Sequence, residues 1–241
     1  MGALWLRTTV LRRLEYLFLA ILVLTIGAGL RIGWVKYDGP GRVQAALQLL
    51  PFPTAFSELK GKRVGLVAGH AGNDSGAICR DGLQEVDVNI AVAGYAAERL
   101  RQSGARVDVL SEFDPRLVEY QADALVSIHT DSCISFSGFK AARAANSRIP
   151  AIEDRLVACL YAAYGAASGL PRHDSTITVN MTDYHAFRVI DPETPAAIIE
   201  LGFLGGDRQL LTQEQARLGA GVAEGIRCFL IDDVAAMPAT P

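Results

Sequence analysis

The sequence predicts an α/β domain: a mostly parallel, twisted sheet with helices on both faces, preceded by an N-terminal transmembrane or signal helix. Short apolar runs alternate with longer segments of helical period between residues 63 and 230. Glycine and proline mark the junctions between them. A separate apolar stretch stands at the N-terminus behind Arg7, Arg12 and Arg13.

That stretch runs from Leu14 to Leu30, broken only by Glu15, Thr25 and small glycines. At about 1.5 Å per residue it spans roughly 26 Å, and extension to Trp34 matches a hydrocarbon core of ~30 Å. Arg31 can snorkel and Trp34 suits the headgroup belt, while the basic end stays in the cytoplasm. A retained anchor accounts for this length and for Trp34. A cleaved signal, cut near Gly27-Ala28-Gly29, and a buried helix are the alternatives. Arg12-Arg13 alone is a weak match to a twin-arginine signal. The expected location is the cytoplasmic membrane with the domain outside, or secretion after cleavage.

The chain divides into a basic cytoplasmic end (1–13), the anchor or signal (14–34), a spacer (35–62), a catalytic domain (63–232) and a flexible tail (233–241). Gly39-Pro40-Gly41, Pro51 and Pro53 break the spacer around a short helix candidate at 43–50. In the domain, 64–68 reads as the first strand. The segment 86–103 has helical spacing at Val88, Val92, Tyr95 and Leu100 and ends at Gly104. Strands follow at 106–110 and 124–128, then a helix at 152–167 closed by Gly169. Short apolar runs at 187–190 and 196–201 precede a last helix from about 212 to 230.

A net charge of −3 supplies no basic field for a nucleic-acid backbone, so nucleic acid is excluded as a partner. No repeat or low-complexity tract points to a solenoid or a disordered scaffold.

Ligands of parallel sheets gather at the carboxyl ends of strands. His70 follows Gly69 in a glycine-rich turn leaving the first strand, where a solvated loop histidine is the ordinary alternative. Glu85 opens the next helix, a position that also suits the helix dipole. His129 is the first polar group after a buried strand, where structural histidines are common. Glu200 is a carboxylate embedded in the apolar run Ala196–Leu201, costly to bury without a partner unless the strand end is exposed. None is specific alone. Together, two histidines and a carboxylate form a ligand set for catalytic zinc with an open position.

Gly69-His70-Ala71-Gly72 with Asp74 and Gly76-Ala77, Glu85-Val86-Asp87-Val88-Asn89, Ser127-Ile128-His129-Thr130-Asp131, Gly138-Phe139, and Pro195 through Glu200-Leu201-Gly202-Phe203-Leu204 occur in this order. They resemble the zinc-dependent N-acetylmuramoyl-L-alanine amidases of peptidoglycan, across residues 63 to about 230. The resemblance implies one zinc ion on His70, Glu85 and His129, with Glu200 as the catalytic glutamate. It implies peptidoglycan as substrate, cut between N-acetylmuramic acid and L-alanine, and leaves open an unknown protein activator.

Several positions depart from the family pattern. Val67-Ala68 stand where the family has Asp-Pro, Ala71 where it has a second glycine, and Gly205-Gly206-Asp207 where it has Ser-Asn. The stretch from Leu110 to Asp123 is short and lacks the Thr-Arg and Ala-Asn landmarks. These changes bear on loop geometry and substrate preference rather than on the metal set.

Placed in this frame, Cys79 and Cys133 fall near the zinc, and a disulfide between them is expected, free thiols being the alternative. Cys159 and Cys228 lie in helices as core residues. His173 and His185 fall in a polar loop near the active face, solvated or touching substrate. Rival functions are another zinc peptidase, a non-catalytic wall-binding or regulatory protein of the same fold, and a purely structural tethered domain. The first is disfavoured because its usual His-x-x-Glu spacing is absent: His70 and Glu85 are fifteen apart.

Overall fold

In a computed structural model, residues 58–231 are described. The N-terminal anchor or signal, most of the spacer and the tail lie outside them. Among the described residues no helix is long and apolar enough to cross a membrane.

The elements are β1 (Arg63–Ala68), α1 (Glu85–Gln102), β2 (Arg106–Leu110), β3 (Ala124–Asp131), β4 (Lys140–Ala142), α2 (Pro150–Ser168), α3 (Val179–Thr182), α4 (His185–Val189), β5 (Ala196–Phe203), α5 (Arg208–Gln213) and α6 (Gln215–Leu230). The sheet order is β2-β1-β3-β5-β4. β1 pairs in parallel with β2 and β3, and β3 with β5; β4 is an antiparallel edge. β1, β3 and β5 are buried on both faces, hence their near-continuous apolar sequences.

The helices are distributed less evenly than the sequence predicts. The long helices α1, α2 and α6 pack into one core on one face, against Leu66, Val126, Ile128, Ile199 and Leu201. Glycines allow their close approach. A Cβ at Gly219 would lie 2.5 Å from that of Tyr95, and one at Gly225 would lie 3.0 Å from Cα of Leu160. The other face, Val67, Leu125 and Ile198, is covered by Leu117, Tyr120, Met181, Tyr184 and Ile190 from loops and the short helices α3 and α4. The connections on that side lack an apolar stripe long enough for a full helix.

Smaller differences have local causes. The short apolar run 187–190 falls largely in α4. The last helix is two, divided at Glu214 (φ −120°, ψ 24°). Leu59, placed in the spacer by the sequence reading, is fully buried in the main core. α1 buries Val88, Val92, Ala96 and Leu100 at i, i+4 spacing and carries Glu85 and Asp87 in its first turn. α2 ends at Gly169, whose φ of 74° is the left-handed helix stop expected of glycine.

Candidate metal centre

The chain runs from β1 outward to β2 and then returns to β3 on the other side of β1. Such a reversal opens a crevice at the carboxyl ends of the strands. His70 follows β1, His129 lies near the end of β3, and the loop between β1 and α1 returns Glu85 to the same place. Ligand atoms of His70, Glu85 and His129 all lie within 4.8 Å of one another.

Glu85 is the hub. Its Oε1 lies 3.2 Å from His70 Nε2 and 3.1 Å from His129 Nδ1. It also accepts from Thr130 N at 3.2 Å and Asn89 Nδ2 at 3.3 Å. Oε2 accepts from Ala77 N at 3.1 Å. Asn89, one helical turn on, also donates to Gly69 O at 3.1 Å and accepts from Thr130 Oγ1 at 2.7 Å, tying α1 to both strands. Burial works to raise the Glu85 carboxyl, but the hydrogen bond and charge of His129, with the Ala77 amide, lower it on balance.

His70 holds a left-handed backbone, φ 67°, unusual for a residue with a side chain. Its N–H donates to Glu112 Oε2 at 2.6 Å, and its Nδ1 lies 2.5 Å from Asp74 Oδ1. Gly69 and Gly76 leave room around the candidate ligands. A Cβ on Gly69 would lie 2.4 Å from His129 Nε2, and one on Gly76 would lie 2.6 Å from Glu85 Oε2.

His129 is buried. Burial disfavours its charged form, yet the hydrogen bond to Glu85 and the charges of Glu200, Glu112 and Glu85 raise its pKa on balance. That electrostatic well, with three donors converging, fits a divalent cation.

Glu200 pairs in register with His129 across β3 and β5. Residues opposite each other in a parallel sheet face the same way, so Glu200 shares the side of Leu125, Ser127 and His129. Its Oε2 is shielded from solvent and has no hydrogen-bond partner. Burial pushes this carboxyl up to about 7, helped by Glu85 and Asp131 and opposed by His129 and Lys140. A carboxyl poised there exchanges protons near neutrality. Lys140, opposite Glu200 in β4, is buried and ion-paired with Asp131, and donates to Thr176 Oγ1 at 2.8 Å.

Sequence reasoning passed over Glu112 and Tyr184. Glu112 lies two residues beyond β2, where the strand-end rule also applies, and is buried. Tyr184 OH donates to Glu112 Oε1 at 2.8 Å and lies 3.3 Å from His129 Nε2. His185 is not a free loop histidine: its Nε2 is 2.8 Å from Glu112 Oε1, and its ring packs on Phe113. His173 contacts Thr176 Oγ1 at 2.9 Å and stacks on Phe136.

Two disulfides brace the domain. Cys79–Cys133 joins the loop before Glu85 to the segment after His129. Cys159–Cys228, read from the sequence as two core cysteines, joins α2 to α6.

Residues 64–228 match the family model of the Amidase_3 N-acetylmuramoyl-L-alanine amidases. The chain belongs to this amidase family. All four sequence-selected positions, His70, Glu85, His129 and Glu200, fall inside the matched span of this family member. An uncharacterized Bacillus subtilis (strain 168) protein, YqiI, is 38% identical over 99 residues, which are 37% of this chain and 48% of that protein. The match thus spans about half the length of this curated relative. The fold is shared with solved amidases. The Clostridioides difficile CwlD amidase, determined with the GerS lipoprotein, has a TM-score of 0.57 at 22% identity, covering 71% of this chain and 100% of that one. Mycobacterium smegmatis Ami1 gives 0.60 at 16%, covering 73% and 99%. The catalytic domain of CwlV from Bacillus (Paenibacillus) polymyxa var. colistinus gives 0.57 at 24%, covering 70% and 98%.

Proposed function

We propose that this chain is a zinc-dependent hydrolase of the amide bond between the lactyl group of N-acetylmuramic acid and L-alanine in bacterial peptidoglycan. His70, Glu85 and His129 hold the ion and Glu200 moves the proton. The observation that carries this reading is the half-buried Glu200, whose Oε2 is shielded from solvent without a hydrogen-bond partner, in register beside His129 of a three-donor group.

When bound, zinc supplies a Lewis acid and lowers the pKa of a water to about 7. Glu200 would accept the proton given up by the nucleophilic water. Its shielded position then holds the proton and delivers it to the departing nitrogen, which leaves poorly as an anion. Asn89 and Thr130 keep Glu85 aimed between the imidazoles, so the donor set needs little rearrangement to receive the ion.

The proposal places the domain outside the cytoplasmic membrane, on residues 14–34 as an anchor or after their cleavage as a signal. Two disulfides and no free cysteine among the described residues support an oxidising compartment.

The test is digestion of purified peptidoglycan with zinc-loaded protein, with released stem peptides identified by mass. Wild type should free peptides beginning with alanine, and Glu200→Gln should lower the rate by roughly 10²–10⁴, the usual reach of a general acid–base. Fragments cut inside the stem peptide would instead indicate a peptidase. Zinc-independent release, or no release, would overturn the proposal.

A further inference from the structure

We infer that Glu112 is the positioning residue of this centre, one buried carboxylate that fixes the ring of His129 and the backbone of His70 for metal binding. The inference rests on the metal reading above and adds to it a residue outside the ligand set.

The nitrogens that converge on Glu85 are His70 Nε2 and His129 Nδ1. The far nitrogens are therefore His70 Nδ1 and His129 Nε2. A metal-binding imidazole presents one nitrogen to the ion and donates the other N–H to an acceptor, which fixes tautomer and orientation. Here each far nitrogen meets a carboxylate. Asp74 Oδ1 lies 2.5 Å from His70 Nδ1 on an exposed loop. Glu112 Oε2 lies 3.6 Å from His129 Nε2 in a buried setting, and the Tyr184 hydroxyl bridges the two side chains, 3.3 Å from the imidazole and 2.8 Å from Glu112 Oε1.

Glu112 also acts on the other histidine. Its Oε2 accepts the His70 N–H at 2.6 Å and so holds the left-handed turn that aims the His70 ring. Its own N–H donates to Ala71 O at 2.9 Å, a second tie to the same turn. With His185 Nε2 at 2.8 Å from Oε1, both oxygens face donors on every side. Only a carboxylate satisfies such a set, because a glutamine amide would turn an N–H₂ toward one of them. Replacement should leave the three ligands present but loosely aimed.

The experiment compares wild type, Glu112→Gln and Tyr184→Phe in the metal-free and zinc-loaded forms. It reads zinc dissociation constants by chelator competition and the His129 tautomer by ¹⁵N NMR. Glu112→Gln should bind zinc roughly 10–100-fold more weakly. Its His129 resonances should lose the single Nε2-protonated pattern, which a general loss of stability would not alter. Tyr184→Phe, which leaves the carboxylate in place, should shift the Nε2 signal with a smaller loss of affinity.

A folded Glu112→Gln with unchanged affinity and unchanged His129 signals would overturn the inference while leaving the amidase reading intact. If Glu112→Gln does not fold, Tyr184→Phe decides in the same way. Wild type that holds zinc with the expected Glu112 dependence but releases no alanine-headed peptides would sink the amidase reading alone. Wild type that holds no zinc would sink both.

Discussion

Three carboxylates surround the His129 imidazole, and the way each is held decides what it can do. Glu85 and Glu112 are fully hydrogen-bonded, whereas Glu200 keeps an oxygen without a partner. The Glu112 carboxyl resists burial through the His185 hydrogen bond, the His129 charge, the His70 amide and Tyr184, and its pKa falls from 4.5 to about 2. A depressed carboxyl contributes stability that is present above its unfolded value and lost as pH falls through its folded value. Metal-free wild type should therefore exceed Glu112→Gln by on the order of 3 kcal/mol at neutral pH. Denaturant unfolding should show that difference shrinking between pH 4.5 and about 2. A gap independent of pH would show that Glu112 stabilises by packing rather than by charge. His70, Glu85, His129 and Glu200 could be found in the sequence because each is a polar group at a strand end or helix start. Glu112 was passed over although it too stands just beyond a strand end, because the partners that give it a role, His70, Tyr184 and His185, lie 42 to 73 residues away.

At the scale of elements, the two disulfides sit in different places and should fail differently. Cys79–Cys133 closes a separation of 54 residues between the ligand loops, and Cys159–Cys228 one of 69 residues between α2 and α6. Chain entropy gives each about 4 kcal/mol of stabilisation, with losses of about 2–5 kcal/mol typical on removal. The double variant Cys159→Ser/Cys228→Ser should lower the unfolding midpoint and leave the zinc dissociation constant within about twofold, since neither helix carries a member of the donor group. Cys79→Ser/Cys133→Ser should lower the midpoint and also raise the zinc dissociation constant, because Glu85 and His129 lose their common brace. Equal zinc affinity in the two variants would refute that division of roles. The Cys79–Cys133 pairing was expected once both residues were placed near the ligands. The Cys159–Cys228 pairing was not, because helix periodicity places each cysteine in the core but does not say which helices adjoin. The same reasoning explains which elements were legible. β1, β2, β3 and β5 followed from apolar runs between glycines, and α1 and α2 from their period. β4, at three residues, is shorter than any periodicity, and α3 and α4 are too short to present a stripe.

On the scale of the whole molecule, the donor group joins three parts of the chain: the turn after β1, the start of α1 and the end of β3. Each belongs to a different packed element, and the crevice between them exists because the sheet reverses direction there. A cation bound among them would be linked to folding, since the unfolded chain has no such site. Free zinc at 100 to 1,000 times its dissociation constant should add about 3–4 kcal/mol. Scanning calorimetry should resolve that as a rise of several degrees in the unfolding midpoint. Protons compete for the same ligands. His129 keeps its proton to higher pH than an ordinary histidine, burial being outweighed by Glu85, Glu200 and Glu112. The zinc increment should therefore begin to shrink above the usual histidine pKa of about 6.5 and be largely lost by about pH 5. On the proposed roles, Glu85→Gln should show little increment at any pH, whereas Glu200→Gln, which lies outside the donor group, should keep it. An increment equal at pH 5 and pH 8, or undiminished in Glu85→Gln, would mean that zinc stabilises the fold from somewhere other than this crevice.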